Sequence, residues 1–148
     1  MISNTTKLNA AGPDLAKLPG VHALTDVTGF GLAGHTLELA RGSHCTAHID
    51  WSQVPLLSNV QNLADDGIIT GASDRNWLSY GDDVGIPENF TVAQRALLTD
   101  PQTSGGLLVS CSPESVTEVL DIFNQHHFLG ARVIGQMSKR HGKPLIVS

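Results

Sequence analysis

The segment Thr25-Asp26-Val27-Thr28-Gly29-Phe30-Gly31-Leu32-Ala33-Gly34-His35 puts an acid, a hydroxyl and a Gly-x-Gly turn between an apolar run and a helical pattern. Glycines let backbone N–H groups approach an anion, and a helix N-terminus carries positive partial charge. A carboxylate beside such a turn suits Mg²⁺, which takes oxygen ligands and often bridges to substrate phosphates. The combination fits a metal–nucleotide phosphate. Two other readings stay open. Gly29-x-Gly31-x-x-Gly34 matches the dinucleotide fingerprint, and Asp50 follows about 20 residues on, as that pattern requires. Against it stand the polar strand end, with Thr25, Asp26 and Thr28, and the lack of repeated βαβ units downstream. In the blandest reading the glycines make a tight turn and Asp26 caps the helix.

A second polar segment, Thr99-Asp100-Pro101-Gln102-Thr103-Ser104-Gly105-Gly106, precedes an apolar run. Its hydroxyls, Asp100 and glycine backbone suit the wall of a ligand cleft, and Asp-Pro and Gly-Gly are equally ordinary turn chemistry. Other residues carry weaker signals. Cys45 and His48 share C-x₂-H spacing, but i and i+3 on a strand face opposite ways. His126-His127 suits a helix C-terminal dipole. His22, His44 and His141 have no evident partner, and Trp51, Trp77 and Tyr80 are too scattered for a stacking platform. No Ser-His-Asp arrangement follows from spacing. Asp65-Asp66 and Asp82-Asp83 read as solvated loop charges.

The elements that must position these residues alternate along the chain. Residues 1–19 read as a lead-in or linker, with a short helix over Asn4–Ala11, and 20–148 as the domain. Val21–Val27 predicts a strand, Leu32–Arg41 a helix closed by Gly42, and Cys45–Ile49 a strand with Cys45, Ala47 and Ile49 on its apolar face. Ser52–Asp66 predicts a helix with Pro55 in its first turn and a stripe of Leu56, Leu57, Val60, Leu63 and Ala64. Gly71–Asn89 reads as loop. Thr91 and Gln94 form a capping box for a helix through Leu98. Gly105–Cys111 predicts a strand, and Ser112-Pro113-Glu114 opens a helix whose stripe is Val116, Val119, Leu120 and Phe123. Ala131–Gly135 and Leu145–Val147 read as the last strands. The sum is an α+β domain of four or five strands, a mixed sheet with packed helices.

The chain has 148 residues, with 9 basic and 14 acidic side chains and a net charge of −5. That length suits one domain, and 41% apolar against 16% charged residues is enough for a core. The acidic balance argues against a nucleic-acid binder. No run approaches the roughly 18 apolar residues of a membrane span, and no secretory h-region follows Met1. Two cysteines make neither a disulfide framework nor a four-cysteine zinc site, which suits a reducing cytoplasm.

Together these segments resemble the selenophosphate synthetase (selenide, water dikinase) family. Ala23–Leu32 with Gly34-His35 resembles its first signature and Asp100–Leu108 its second. Gly71-Ala72-Ser73-Asp74-Arg75-Asn76 is similar to its Gly-Gly-Thr-x-Arg-Asn segment, with Ala72-Ser73 in place of Gly-Thr. Val133-Ile134-Gly135 resembles its closing strand, and Ala33 stands where Leu is usual. The resemblance runs in order from Leu8 to Val147 and fits only the family's C-terminal half. It implies a domain like that of aminoimidazole ribonucleotide synthetase, Mg²⁺ and ATP, and conversion of selenide, ATP and water to selenophosphate, AMP and phosphate. It implies Asp26 as one metal ligand, and Thr28, Gly29 and Gly31 as phosphate contacts. The catalytic Cys or selenocysteine, its Lys and further metal-binding Asp residues belong to an N-terminal half, so this piece by itself is expected to be inactive and to hold no catalytic residue. A homodimer of the whole protein is implied. Competing readings are another ATP-dependent synthetase or hydrogenase-maturation protein of the superfamily, and a stand-alone nucleotide- or partner-binding module.

Overall fold

The computed structural model describes residues 6–148. Among them lie six α-helices and six strands, in an α+β arrangement of two sheets. Strands β1 (Val21–Asp26) and β4 (Leu107–Cys111) form an antiparallel pair. The other four are β2 (Cys45–Ile49), β3 (Val84–Gly85), β5 (Gly135–Lys139) and β6 (Leu145–Val147). They make a mixed sheet in the order β3-β6-β2-β5, with β2/β6 and β3/β6 parallel and β2/β5 antiparallel.

The helices are α1 (Gly12–Leu15), α2 (Gly31–Gly42), α3 (Val60–Asp65), α4 (Gly71–Tyr80), α5 (Val92–Leu98) and α6 (Val116–Gln125). Ala33, Leu37 and Ala40 recur at helical spacing and bury the inner face of α2 against Ala47 and Ile49 of β2 and Leu145 and Val147 of β6. Full burial of Leu37 alone is worth about 1.5–3 kcal/mol. Leu98, Tyr80 and Val84 complete this core. A second core lies on the β1–β4 pair, where Val119 and Phe123 of α6 meet Ala11 and Leu15, with Leu24, Leu107 and Val109 packed beside them. Part of the expected lead-in thus contributes two fully buried side chains, Ala11 and Leu15.

Several expectations are met and others corrected. The Thr91–Gln94 capping box is present, both halves made. Of the short helix expected over Asn4–Ala11, residues 4 and 5 lie outside the described residues; 6–11 is turn and irregular, and the first helix among the described residues begins at Gly12. The helix expected over Ser52–Asp66 survives only as α3. Asp50 Oδ1 accepts from the Ser52 N–H at 3.0 Å and its hydroxyl at 2.7 Å, closing a single 3₁₀ turn at Trp51–Gln53. Pro55 then forces the residue before it out of the helical region, and Val54 is extended at φ −68°, ψ 119°. Asn59 at φ 71° breaks the chain again. The expected stripe fails with it: Leu57 is 62% exposed, and of its five residues only Ala64 is fully buried.

Gly71–Asn89, expected as loop, contains α4 and β3. The Thr70 hydroxyl caps α4 by accepting from the Ser73 N–H. The inward stripe is buried Ser73, half-buried Trp77 and buried Tyr80, spaced i, i+4, i+7 but hidden from a count of aliphatic residues. The strand expected over Ala131–Gly135 begins where it was expected to end. β5 runs along the sheet edge, so it needs little apolar surface and reads as the polar Gly-Gln-Met-Ser-Lys. Gly135 is required there, because a Cβ would lie 1.9 Å from the His48 carbonyl oxygen. Thr46, assigned to a polar face, is fully buried, its hydroxyl donating to the His141 carbonyl at 2.9 Å and accepting from the His141 N–H at 3.0 Å.

Candidate functional site

The turn after β1 is assembled from three distant segments. The Val27 N–H donates to the Gly106 carbonyl at 2.9 Å, extending the β1–β4 ladder by one rung. The Thr28 carbonyl accepts from the N–H groups of Gly31 and Gln102, both at 3.0 Å. The Asn76 side-chain amide donates to the carbonyls of Gly29 and Thr99, both at 2.9 Å. The Tyr80 hydroxyl donates to the Phe30 carbonyl at 2.5 Å. The two polar segments singled out in the sequence are therefore halves of one body, and α4 clamps them together.

The glycines divide by role. Gly31 sits at φ +68°, and a Cβ there would lie 2.6 Å from the Thr99 carbonyl carbon. Gly105 allows the Val27 oxygen an approach that a Cβ would bring to 1.7 Å. A Cβ on Gly34 would meet Phe30 Cβ at 2.4 Å and the Tyr80 ring at 3.2 Å. Gly29 is exposed, with nothing within 4 Å of a Cβ position. Among the described residues, no hydrogen-bond partner engages the N–H groups of Thr28, Gly29 or Phe30.

Asp26 ends β1 opposite Leu107 and is exposed, with no carboxylate partner among the described residues. It does not cap α2: the N-cap position is Phe30, and no side chain fills that role. Exposure alternates from Asp26 (exposed) through Val27 (buried) to Thr28 (half-buried), which puts Asp26 and Thr28 on one side of the chain. No three His, Cys, Asp or Glu side chains among the described residues are placed to hold one metal ion. Asp26 thus fits a cation only as one ligand of a set completed from elsewhere.

One constellation went unread in the sequence. The Thr28 hydroxyl lies 3.0 Å from His35 Nε2, and His35 Nδ1 lies 2.9 Å from Glu38 Oε2. His35 is buried and Glu38 half-exposed. The readable signal was His and Glu at i, i+3 on one helix. Burial pushes the Tyr80 phenol up to about 12, partly offset by the Gly34 backbone N–H.

The remaining candidates go elsewhere. Asp50 is spent on the Trp51 turn, and β1 pairs with β4 in a sheet apart from β2, so the parallel βαβ unit of a dinucleotide site is not built here. His48 stacks on His141 with centroids 5.3 Å apart. His126 Nε2 lies 3.0 Å from Asp14, whose carboxyl is held below its usual range by the Lys17 ammonium first and by His126 second. Asp83 pairs with Arg41. Trp51, Trp77 and Tyr80 all pack on the first core.

Residues 4–148 match the family described as AIR synthase related protein, C-terminal domain. The chain is 56% identical over 147 residues to a "Selenide, water dikinase" of Paraburkholderia xenovorans (strain LB400), covering 99% of this chain and 42% of that protein. It is 61% identical over 137 residues to the one from Pseudomonas straminea, covering 93% of this chain and 38% of the relative. Against the one from Dechloromonas aromatica (strain RCB) it is 54% identical over 144 residues, 97% of this chain and 41% of the relative. This chain spans 38–42% of the length of these curated relatives.

Proposed function

The chain belongs to the AIR synthase related protein family, as its C-terminal domain, and on that premise we propose that it is the C-terminal domain of a selenide, water dikinase. The whole protein then makes selenophosphate, AMP and phosphate from selenide, ATP and water, as a Mg²⁺-dependent, dimeric, cytoplasmic phosphotransferase. The nucleophile belongs to a half of the whole protein outside this domain, and the 148 residues alone do not turn over.

The observation that carries the reading is the fusion of the Asp26–Gly34 turn with the Thr99–Gly106 segment through Asn76. Phosphoryl transfer needs positioning and charge neutralisation more than covalent help from side chains. A carboxylate exposed at a strand end, which like the backbone N–H groups beside it has no partner among the described residues, supports that role. Asp26 supplies one metal ligand, and Thr28, Gly29 and Gly31 line the nucleotide's phosphates, Gly31 chiefly by giving the turn its shape. A Mg²⁺ ion held there would supply charge neutralisation for the transferring phosphates.

The test is Asp26→Asn, nearly isosteric and uncharged, in the whole protein. Selenide-dependent AMP formation should fall by the several kcal/mol that metal-assisted charge stabilisation supplies. Thermal stability should stay unchanged, since the carboxylate has no partner among the described residues. A folded variant with normal turnover and normal Mg²⁺ dependence would sink the assignment.

A further inference from the structure

We infer that Glu38, acting through the His35 ring, fixes the direction of the Thr28 hydroxyl, so that its proton points inward and its oxygen lone pairs point outward on the Asp26 side of the turn. The starting point is hydrogen-bond inventory. A carboxylate only accepts, so the 2.9 Å contact with Glu38 places a proton on His35 Nδ1. In the neutral ring Nε2 then carries a lone pair and accepts. Among the described residues the donor it meets, at 3.0 Å, is the Thr28 hydroxyl. That hydroxyl spends its single proton on the imidazole, and its remaining capacity is as an acceptor.

The consequence is a division of labour within the turn. Thr28 oxygen and the Asp26 carboxylate both offer lone pairs, which suits a hydrated divalent cation or its bound water. The N–H groups of Thr28, Gly29 and Phe30 offer donors, which suits phosphate oxygens, so Thr28 meets the phosphates through its backbone and the cation through its hydroxyl oxygen. A free threonine hydroxyl would serve either side; this one is committed to the cation side. Thr28 is thereby a contact and His35 and Glu38 are positioning residues. A purely structural tie between turn and helix would tolerate either direction of the same hydrogen bond, so direction is what distinguishes the two.

The inference rests on the dikinase reading for its ligand, though not for its hydrogen-bond direction, and two measurements separate them. The first is long-range ¹H–¹⁵N correlation on the ¹⁵N-histidine-labelled 148-residue chain at pH 8, with His35 assigned by His35→Gln. The expected spectrum is a neutral ring protonated on Nδ1. A proton on Nε2, or on both nitrogens, overturns the inference. The second uses the whole protein and the Mg²⁺ concentration giving half-maximal AMP formation. Thr28→Val should raise it at least fivefold with unchanged melting temperature, Thr28→Ser should restore it to within twofold, and Glu38→Gln should fall between. Wild-type Mg²⁺ dependence in Thr28→Val, or a Thr28→Ser variant as impaired as Thr28→Val, overturns it. A wild-type whole protein with no selenide-dependent AMP formation would instead fell the dikinase reading, and the ring spectrum then decides the hydroxyl's direction by itself.

Discussion

The turn after β1 and the segment over 54–69, which α3 interrupts, both carry exposed irregular chain, yet they are built on opposite principles. In the turn, backbone groups are matched one by one: Thr28 carbonyl to two N–H groups, Gly29 carbonyl to Asn76, Phe30 carbonyl to Tyr80. Its apolar content is slight and its glycines are fixed by backbone approach. Segment 54–69 has five large aliphatic side chains left substantially exposed: Leu56, Leu57, Leu63, Ile68 and Ile69. Few side-chain hydrogen bonds hold it; Asn62 to Asn59 and Gln61 to Asp65 are local, and Thr70 to Asp100 ties down only its far end. A shape imposed by close backbone contact tolerates almost no added atom, whereas a shape left by incomplete packing tolerates many. Substitutions in the two regions should therefore differ by several-fold in cost.

The largest expected effect is at the glycines that admit another backbone. Gly31→Ala must adopt φ near +68° and displace Thr99 from a 2.6 Å approach. Strain and overpacking together cost about 3 kcal/mol or more. Gly105→Ala, with a Cβ 1.7 Å from the Val27 oxygen, belongs in the same class. Gly29→Ala is the control inside the same turn, since its Cβ meets nothing within 4 Å. It should shift unfolding by less than about 0.5 kcal/mol. Urea unfolding of the three variants separates them. Equal losses at Gly29 and Gly31 would mean the turn is not held by backbone approach.

That difference also explains what could be read from the sequence. The turn was legible because glycine spacing, Asp26 at a strand end and the β1–α2 order are local patterns. Segment 54–69 was misread because Leu56, Leu57, Val60, Leu63 and Ala64 satisfy helical periodicity while Pro55 acts on Val54 and Asn59 reverses its φ. Periodicity states which residues share a face only if the helix continues. The clamp by Asn76 and Tyr80 was illegible for another reason. Both lie on α4, where the inward stripe is Ser73, half-buried Trp77 and Tyr80, so a count of aliphatic residues sees only loop. The Thr28–His35–Glu38 line needed the seven-residue step from turn to helix to be folded before it was visible.

A smaller effect belongs to Tyr80, the chain's one tyrosine, which ties α4 to the turn. Tyr80→Phe deletes its hydroxyl and leaves the Phe30 carbonyl without that donor, a loss of about 1–2 kcal/mol at neutral pH. The pH dependence has a definite sign. Burial raises the folded phenol to about 12 from an ordinary value of 10.0, so the folded state holds the proton more tightly than the unfolded one. The contribution is fully present below pH 10 and is lost as pH rises toward 12. Wild type should therefore lose more stability than Tyr80→Phe between those values. Phenolate absorbance reports Tyr80 alone, and a midpoint near 10 in the folded chain would contradict its burial.

The smallest effect is expected at Leu57, and it bears most directly on the contrast. Its side chain is 62% exposed, so folding removes little of its surface from water. Full burial of a Leu is worth about 1.5–3 kcal/mol, so the part that is buried here bounds the loss at about 1 kcal/mol. Leu57 also lies outside every helix and strand, in the stretch between the Trp51 turn and α3, so no helical propensity is at stake. Leu57→Ser in the 148-residue chain should change unfolding free energy by no more than about 1 kcal/mol. The same change in the whole protein makes the comparison sharper. An equally small shift there means the aliphatic side chains of 54–69 face water in both. A loss larger than about 2 kcal/mol in the 148-residue chain would show that Leu57 is packed, and the contrast between a backbone-fixed turn and a loosely packed segment would fail.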